Sequence, residues 1–279
     1  MNNQTLRYVD ASHPLAIFIL IDLSSHTFDN THIRGMTRLQ FIHQTINNII
    51  ETSLNKCQRI SSILPRHHLS FIGYNSVAFD IRLSDHYVMN DQQFAQANIA
   101  DNTYPIDKFY HISMSFSPYR TNQHTRNTAA AFRYVTARIT QNISRYQQSH
   151  PPIVIHFSSG LPHDIEDLEA AFSMLTNQHT DYGTILVHSV FVGEHLVGID
   201  QYDWQGITDR TMFSTSDAQA AYALLATTSR IPSMYQSVML TWFKAPLSSD
   251  YLFIPGMVDT DNYWDAFLIG KNTTRTGSI

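Results

Sequence analysis

The strongest constraint on this chain is one uninterrupted apolar run, Leu15 to Ile21, that stops at an acid, Asp22. A strand with one face in water alternates polar and apolar residues. One without alternation is buried on both faces, as in a parallel sheet covered by helices on either side. The run is far shorter than the ~20 apolar residues a membrane span requires. It predicts a central strand of an α/β protein.

The remaining patterning supplies the other parts of such a fold. From Met36 the apolar spacing becomes helical, with Leu39, Ile42, Ile46, Ile49, Ile50 and Leu54 on one stripe before Pro65 closes the segment. His68–Tyr74 and Ser76–Leu83 read as a hairpin whose second strand is a half-exposed edge. Residues 85–127 read as irregular and polar, with a short helix near 91–97 and loop after it. Thr128–Tyr146 is the second long helix, striped by Phe132, Val135, Ile139 and Ile143 and stopped by Pro151-Pro152. Ile153–Phe157 is a second buried strand, Ser158–Asp164 its loop, and Leu168, Ala171, Phe172 and Leu175 stripe a helix that Asp164 would cap. Strands at Thr184–Val192 and Arg210–Ser214 and a helix at Asp217–Ala226, capped by Ser216, complete the alternation. The expected fold is α/β: three layers, doubly wound, with a mostly parallel sheet and one antiparallel edge strand. Residues 1–14 read as an N-terminal extension, 15–230 as one domain, and 231–279 as an extension packed on it, ending in a mobile tail over 272–279. That extension carries a Met- and aromatic-rich stretch (Met234, Tyr235, Val238, Met239, Trp242, Phe243), a strand candidate at Tyr251–Ile254 and a short helix candidate from Tyr263.

Composition excludes several functions. With 18 Lys+Arg against 23 Asp+Glu, a net charge of -5 and no basic run longer than two residues, neither a nucleic-acid groove nor an anionic membrane patch is expected. The lone Cys57 provides no disulfide framework and no cysteine zinc site. The N-terminus has no basic n-region or signal core, so a cytoplasmic protein is expected. The 15 histidines are scattered and form no metal tract; His67-His68 reads as the solvated start of a strand.

In an open α/β sheet, ligands bind beyond the carboxyl ends of the strands, which singles out Asp22-Leu-Ser-Ser-His26 and Ser158-Ser-Gly-Leu-Pro-His-Asp164. With a polar segment before the second long helix, His124-Thr-Arg-Asn-Thr-Ala-Ala-Ala-Phe132, these motifs resemble the von Willebrand factor A-type domain. That family has Asp-x-Ser-x-Ser after its first strand, a threonine loop before a helix and Thr-Asp-Gly after a later strand, together forming a metal-ion-dependent adhesion site. The resemblance spans roughly residues 15–230 and implies the vWA variant of the Rossmann-like fold. The segment from Ser229 through Thr273 is similar to the end of a bacterial subgroup associated with a protein kinase and a metal-dependent phosphatase in tellurite-resistance-like systems.

The departures from the family pattern bear on the chemistry. Asp22 and Ser24 keep the ligand type, His26 is a nitrogen ligand poorly suited to a hard cation, and Ser159 stands where the family has its aspartate. Arg126 falls where the threonine ligand is expected, with Thr125 beside it. The resemblance thus implies a non-catalytic protein-interaction module with a decayed metal site and no cofactor, its partner being another protein, a kinase or phosphatase of the same system. His26, Arg126, Ser159 and His163 would form the partner surface, with Arg126 as an exposed loop side chain, or else the C-terminal extension would.

The alternative is a metal-assisted adhesion domain in which Asp22, Ser24 and Thr125 hold a weak Mg2+. Asp22 also reads as a simple loop cap. A hydrolase built on Ser158 or Ser159 with His163 lacks both the Gly-x-Ser-x-Gly elbow and an orienting acid. No phosphate-binding loop of the Gly-x4-Gly-Lys type is present, so no nucleotide hydrolysis is expected.

Overall fold

A computed structural model describes residues 9–30, 32–33, 35–81, 102–109, 116, 119–192, 218–232, 235, 252, 264 and 268. The principal elements are β1 (Leu15–Asp22), α1 (Arg38–Cys57), β2 (His67–Tyr74), β3 (Ala78–Asp80) and β4 (Thr103–Pro105). They continue with α2 (Thr128–Tyr146), β5 (Ile153–Ser158), α3 (Ile165–Thr176), β6 (Leu186–Phe191) and α4 (Ala218–Ala226). The sheet runs β6-β5-β1-β2-β3, with β4 also on β2. Strands β6, β5, β1 and β2 are parallel, whereas β3 and β4 run antiparallel to β2.

The apolar run of β1 divides strictly by parity. Leu15, Ile17, Ile19 and Ile21 join Phe41, Ile42, Ile46, Ile49 and Ile50 of α1, while Ala16, Phe18 and Leu20 join Phe132, Val135 and Ile139 of α2 and Leu168, Ala171 and Leu175 of α3. One strand therefore supplies two cores, one on each side of the sheet, and the architecture is three-layered. Ile231, Tyr235, Leu252, Trp264 and Leu268 are buried in the α1-side core.

Several boundaries differ from the sequence reading, each for a local reason. Helix α1 begins at Arg38 because Thr37 and Gln40 form a reciprocal capping box. A small hairpin, Gln58–Arg59 against Ser62–Ile63, separates the helix from Pro65. The hairpin partner of β2 is only Ala78–Asp80, and β4 extends the same edge from a segment read as irregular; Ser70 and Thr103 share a hydrogen bond of 2.9 Å across it. The sheet strand after α3 begins at Leu186, since Thr184 belongs to a separate hairpin with His179. His67 and His68 are buried, not solvated: β1 lies on one side of them and β4 covers His68 on the other.

The expected helix over 91–97, the strand Arg210–Ser214, the cap Ser216, the tail 272–279 and the stripe residues Met234, Val238, Met239, Trp242 and Phe243 lie outside the described residues. No helix among the described residues is long and apolar enough to cross a membrane.

Candidate functional site

Parallel register brings the carboxyl ends of the strands level, with Asp22 beside Tyr74, Ile21 beside Phe157, and Ser158 beside Phe191. Beyond β1 the chain enters a single 3-10 turn, Ser25–Phe28, anchored by the Thr27 hydroxyl donating to the Asp22 carbonyl at 2.8 Å. The segment before α2 is bound to this turn and to the β2–β3 turn. Ser25 N donates to Gln123 O at 2.7 Å, Ser76 Oγ to Gln123 Oε1 at 2.7 Å, and Asn127 N to Asn75 O at 2.8 Å.

At the centre, the fully buried Asp22 carboxylate is surrounded by hydrogen-bond donors. Its Oδ1 accepts from Ser24 N at 2.9 Å, and its Oδ2 accepts from Ser159 N at 3.1 Å and from the Ser159 hydroxyl. Asp22, Ser24 and Ser159 thus meet in one network. The Ser24 hydroxyl is buried and has no hydrogen-bond partner among the described residues. Thr125 is half-buried, and among the described residues no hydrogen bond links it to Asp22 or Ser24.

The structure corrects the expectation of an exposed Arg126, whose relative exposure is 8%. Its backbone is fixed on both sides by His163: Arg126 N donates to His163 Nδ1 at 3.1 Å, and His163 N donates to Arg126 O at 2.9 Å. Its Nε donates to Leu161 O at 3.1 Å, and the guanidinium lies over Gly160, where a Cβ would come within 2.9 Å of Cζ and Nη1. Glycine is required there for close approach, with no demand on its φ. Both Asp22 and Arg126 act electrostatically on the Tyr74 hydroxyl and the His26 ring.

His26 and His163 are the more accessible members. The His26 ring meets His124 edge-on at 5.8 Å, and His124 Nδ1 pairs with Ser25 Oγ at 2.7 Å. Arg38 Nη1 donates to His26 O and to Asp29 Oδ2, both at 3.1 Å. Partial burial holds the His26 pKa below its ordinary value, and Arg126 and Arg38 add to that effect.

Other interactions here are invisible in local sequence. Asp164 stands at the start of α3, where its carbonyl accepts from Asp167 N at 3.1 Å, but its side chain makes no cap there; Oδ2 crosses to α2 and accepts from Ala130 N at 2.9 Å, correcting the expected side-chain cap. Below Asp22, Tyr74 Oη pairs with His156 Nε2 at 2.8 Å, and Thr128 Oγ1 donates to Tyr74 at 3.5 Å. Burial raises the Tyr74 pKa, with Asp22 adding to it, and lowers that of His156 to about 3. His163 Nδ1 accepts from Arg126 N, and Ser158 Oγ donates to Gly160 O at 3.2 Å; among the described residues no hydrogen bond joins His163 to Ser158 or Ser159. A groove of about 470 Å³ lies beside the 58–63 hairpin and Asp107, and no strand-end loop lines it.

These features define a three-layer α/β domain with a polar site at the carboxyl ends of its parallel strands. No protein-family model matches the chain, and none of the curated proteins does. Among solved structures it is similar to an aerotolerance-related membrane protein of Bacteroides fragilis, at 14% identity over 76% of this chain and 86% of that one, with a TM-score of 0.40. It is also similar to the manganese-loaded TRAP protein of Plasmodium vivax (14% identity, 78% of this chain and 73% of that one, TM-score 0.38). Proximal thread matrix protein 1 of the mussel byssus is a third (13% identity, 66% and 37%, TM-score 0.37). Likeness at this level is too slight to carry function, and the fold assignment rests on the chain's own sheet order.

Proposed function

We propose that this chain is a non-catalytic protein-interaction module of von Willebrand factor A type, working through its strand-end loops without a divalent ion. The observation that carries this reading is the Asp22 carboxylate, which accepts from Ser24 N, Ser159 N and the Ser159 hydroxyl. A Mg2+-type ion needs oxygen lone pairs in near-octahedral array, and here the site's carboxylate already faces protein donors. Arg126, which like Asp22 acts electrostatically on the His26 ring and the Tyr74 hydroxyl, adds a positive charge that opposes a cation. The residues present do not fit the ion. Among the described residues no group of three or more His, Cys, Asp or Glu is placed to hold a metal.

The narrower parts of the reading rest on sequence. Resemblance of the C-terminal segment to the tellurite-resistance-like subgroup supports a kinase or phosphatase partner in a cytoplasmic signalling or stress-response complex.

Calorimetric titration of the full chain with Mg2+ and Mn2+ is the test. No saturable site is expected at millimolar concentration, and a tighter one would overturn the reading. One observation favours the metal-dependent alternative: among the described residues the buried Ser24 hydroxyl lacks the partner that buried polar groups normally have, and an ion would supply one. A positive titration would therefore promote Asp22, Ser24 and Thr125 to ligands.

A further inference from the structure

Arg126 is nine-tenths buried yet only partly satisfied. Its Nε is taken by Leu161 O, its backbone by His163, and its flat face by Gly160. Among the described residues, nothing accepts from its two terminal nitrogens, and no carboxylate lies within ion-pair distance. A guanidinium held this way has already lost its rotamer freedom, and the fork it leaves open matches a planar, two-oxygen acceptor. It stands just ahead of Thr128, the first residue of α2, whose first turn already carries the Asp164 carboxylate through Ala130 N at 2.9 Å, so the fork itself and not the helix end supplies the binding.

The surrounding charges select among anions. Arg38, the other buried arginine near the site, is already engaged by Asp29 and the His26 carbonyl. Asp22 lies in electrostatic reach and disfavours a second negative charge. A phosphate, carrying nearly two charges, calls for a cluster of cations; one guanidinium beside one buried carboxylate suits a monoanion.

We propose that Arg126 receives the carboxylate of an acidic side chain on a partner protein, through both terminal nitrogens and with no metal between them. This rests on the interaction-module reading and specifies the chemistry that reading requires of the partner. The partner's acidic residue would meet a preformed fork framed by Gly160, with His26 and His163 at its rim.

The test uses the full-length chain and acetate as probe, read by NMR at the Arg126 Nε–H and the Gly160 amide, at constant ionic strength. The expected result is a saturable, millimolar shift, unchanged by EDTA and weakened roughly tenfold or more in Arg126→Gln, the fold-change appropriate to charge-assisted hydrogen bonds. Gly160→Ala serves as the second variant. Its methyl displaces the far end of a flexible side chain, so the fold persists while the fork moves, and acetate should weaken comparably. Absence of a saturable shift, or shifts in both variants as strong as those of the parent, overturns the carboxylate fork and leaves the interaction module to the metal titration. A shift abolished by EDTA overturns both readings. Inorganic phosphate outcompeting acetate overturns the choice of a carboxylate.

Discussion

Acidification should unfold this protein well before its carboxylates are protonated, because four imidazoles are buried as neutral rings. Burial lowers His68 and His150 to about 4, and His156 and His188 to about 3, from an ordinary 6.5. Arg145 and His67 add to the effect at His68, and His150 adds to it at His188. Each folded-state value lies below the unfolded one, so the unfolded chain binds the extra protons. Their contribution to stability is complete above about pH 6.5 and is lost as the pH falls towards 4 and then 3. For each histidine the loss is about 1.4 kcal/mol per pH unit in that window, so at pH 5.5 the four together cost roughly 5 kcal/mol. That is comparable to the whole stability of many domains, about 5–15 kcal/mol. Urea unfolding followed by circular dichroism at pH 7.5, 6.5 and 5.5 measures it directly. A loss of several kcal/mol is expected between the first and last, with His156→Gln removing about a quarter of the slope. If stability changes by less than about 1 kcal/mol over that range, the four rings are not buried as neutral groups in solution.

Three further outcomes follow from individual contacts. Asp164→Ala should cost about 1 kcal/mol through the lost cap, and hydrogen exchange should quicken at the first turn of α2 and not of α3; Asp164→Asn keeps an acceptor and should restore most of it. Gly73→Ala would bring a Cβ within 2.7 Å of Leu23 Cδ1 and 2.8 Å of the Phe79 ring, so chemical denaturation should reveal a loss of about 1–3 kcal/mol, whereas an unchanged midpoint would mean that this corner is loosely packed. The triple variant Ser159→Asp, Arg126→Thr, His26→Ser restores the ligand types of the family pattern; Mn2+ should raise its Tm and leave that of the parent unmoved, and no response in the variant would break the motif alignment.

How much of this was legible in sequence depended on whether a feature was local. The apolar run of β1 placed the central strand. The period of α2, bounded by the polar segment before it and the prolines after it, placed the helix at Thr128–Tyr146. Strand β4 was not legible, because Thr-Tyr-Pro is too short to display a period and becomes a strand only against β2. Pairing also explains His67 and His68: two polar residues opening a strand look solvated until β1 flanks both and β4 covers His68.

The strand-end loops were legible as a location, since the topology directs function there, but not as a geometry. Nothing in the order Asp22, Ser24, Ser159 indicates that Ser159 would donate to Asp22 through both its backbone and its side chain. Likewise the burial of Arg126 depends on the missing side chain at Gly160 and on a carbonyl at Leu161, both distant along the chain. Asp164 shows the same limit, because its acceptor serves a helix that precedes it by a full strand.

On the proposed alignment with the family pattern, the residues at positions 126 and 159 are coherent as a pair. In the pattern the sequence resembles, two carboxylates face a doubly charged ion and the charges cancel. Here one carboxylate is left, and one guanidinium stands in electrostatic reach of the same groups, so the charges cancel again without an ion. Either replacement alone would leave an uncompensated charge in a region where Asp22 is fully buried, which is far more costly than the same charge in water. A hydroxyl at Ser159 also leaves a donor where an acid would bring only acceptors, and that donor is what Asp22 uses. The arginine differs from an ion in one respect that matters for recognition. An ion exchanges its open coordination position freely, whereas a guanidinium pinned by Gly160, Leu161 and His163 presents its remaining donors in a single orientation. Under the proposed function, partner selection becomes a matter of geometry and not of metal supply. The strand-end surface can be specific while every residue of its framework stays committed to the fold.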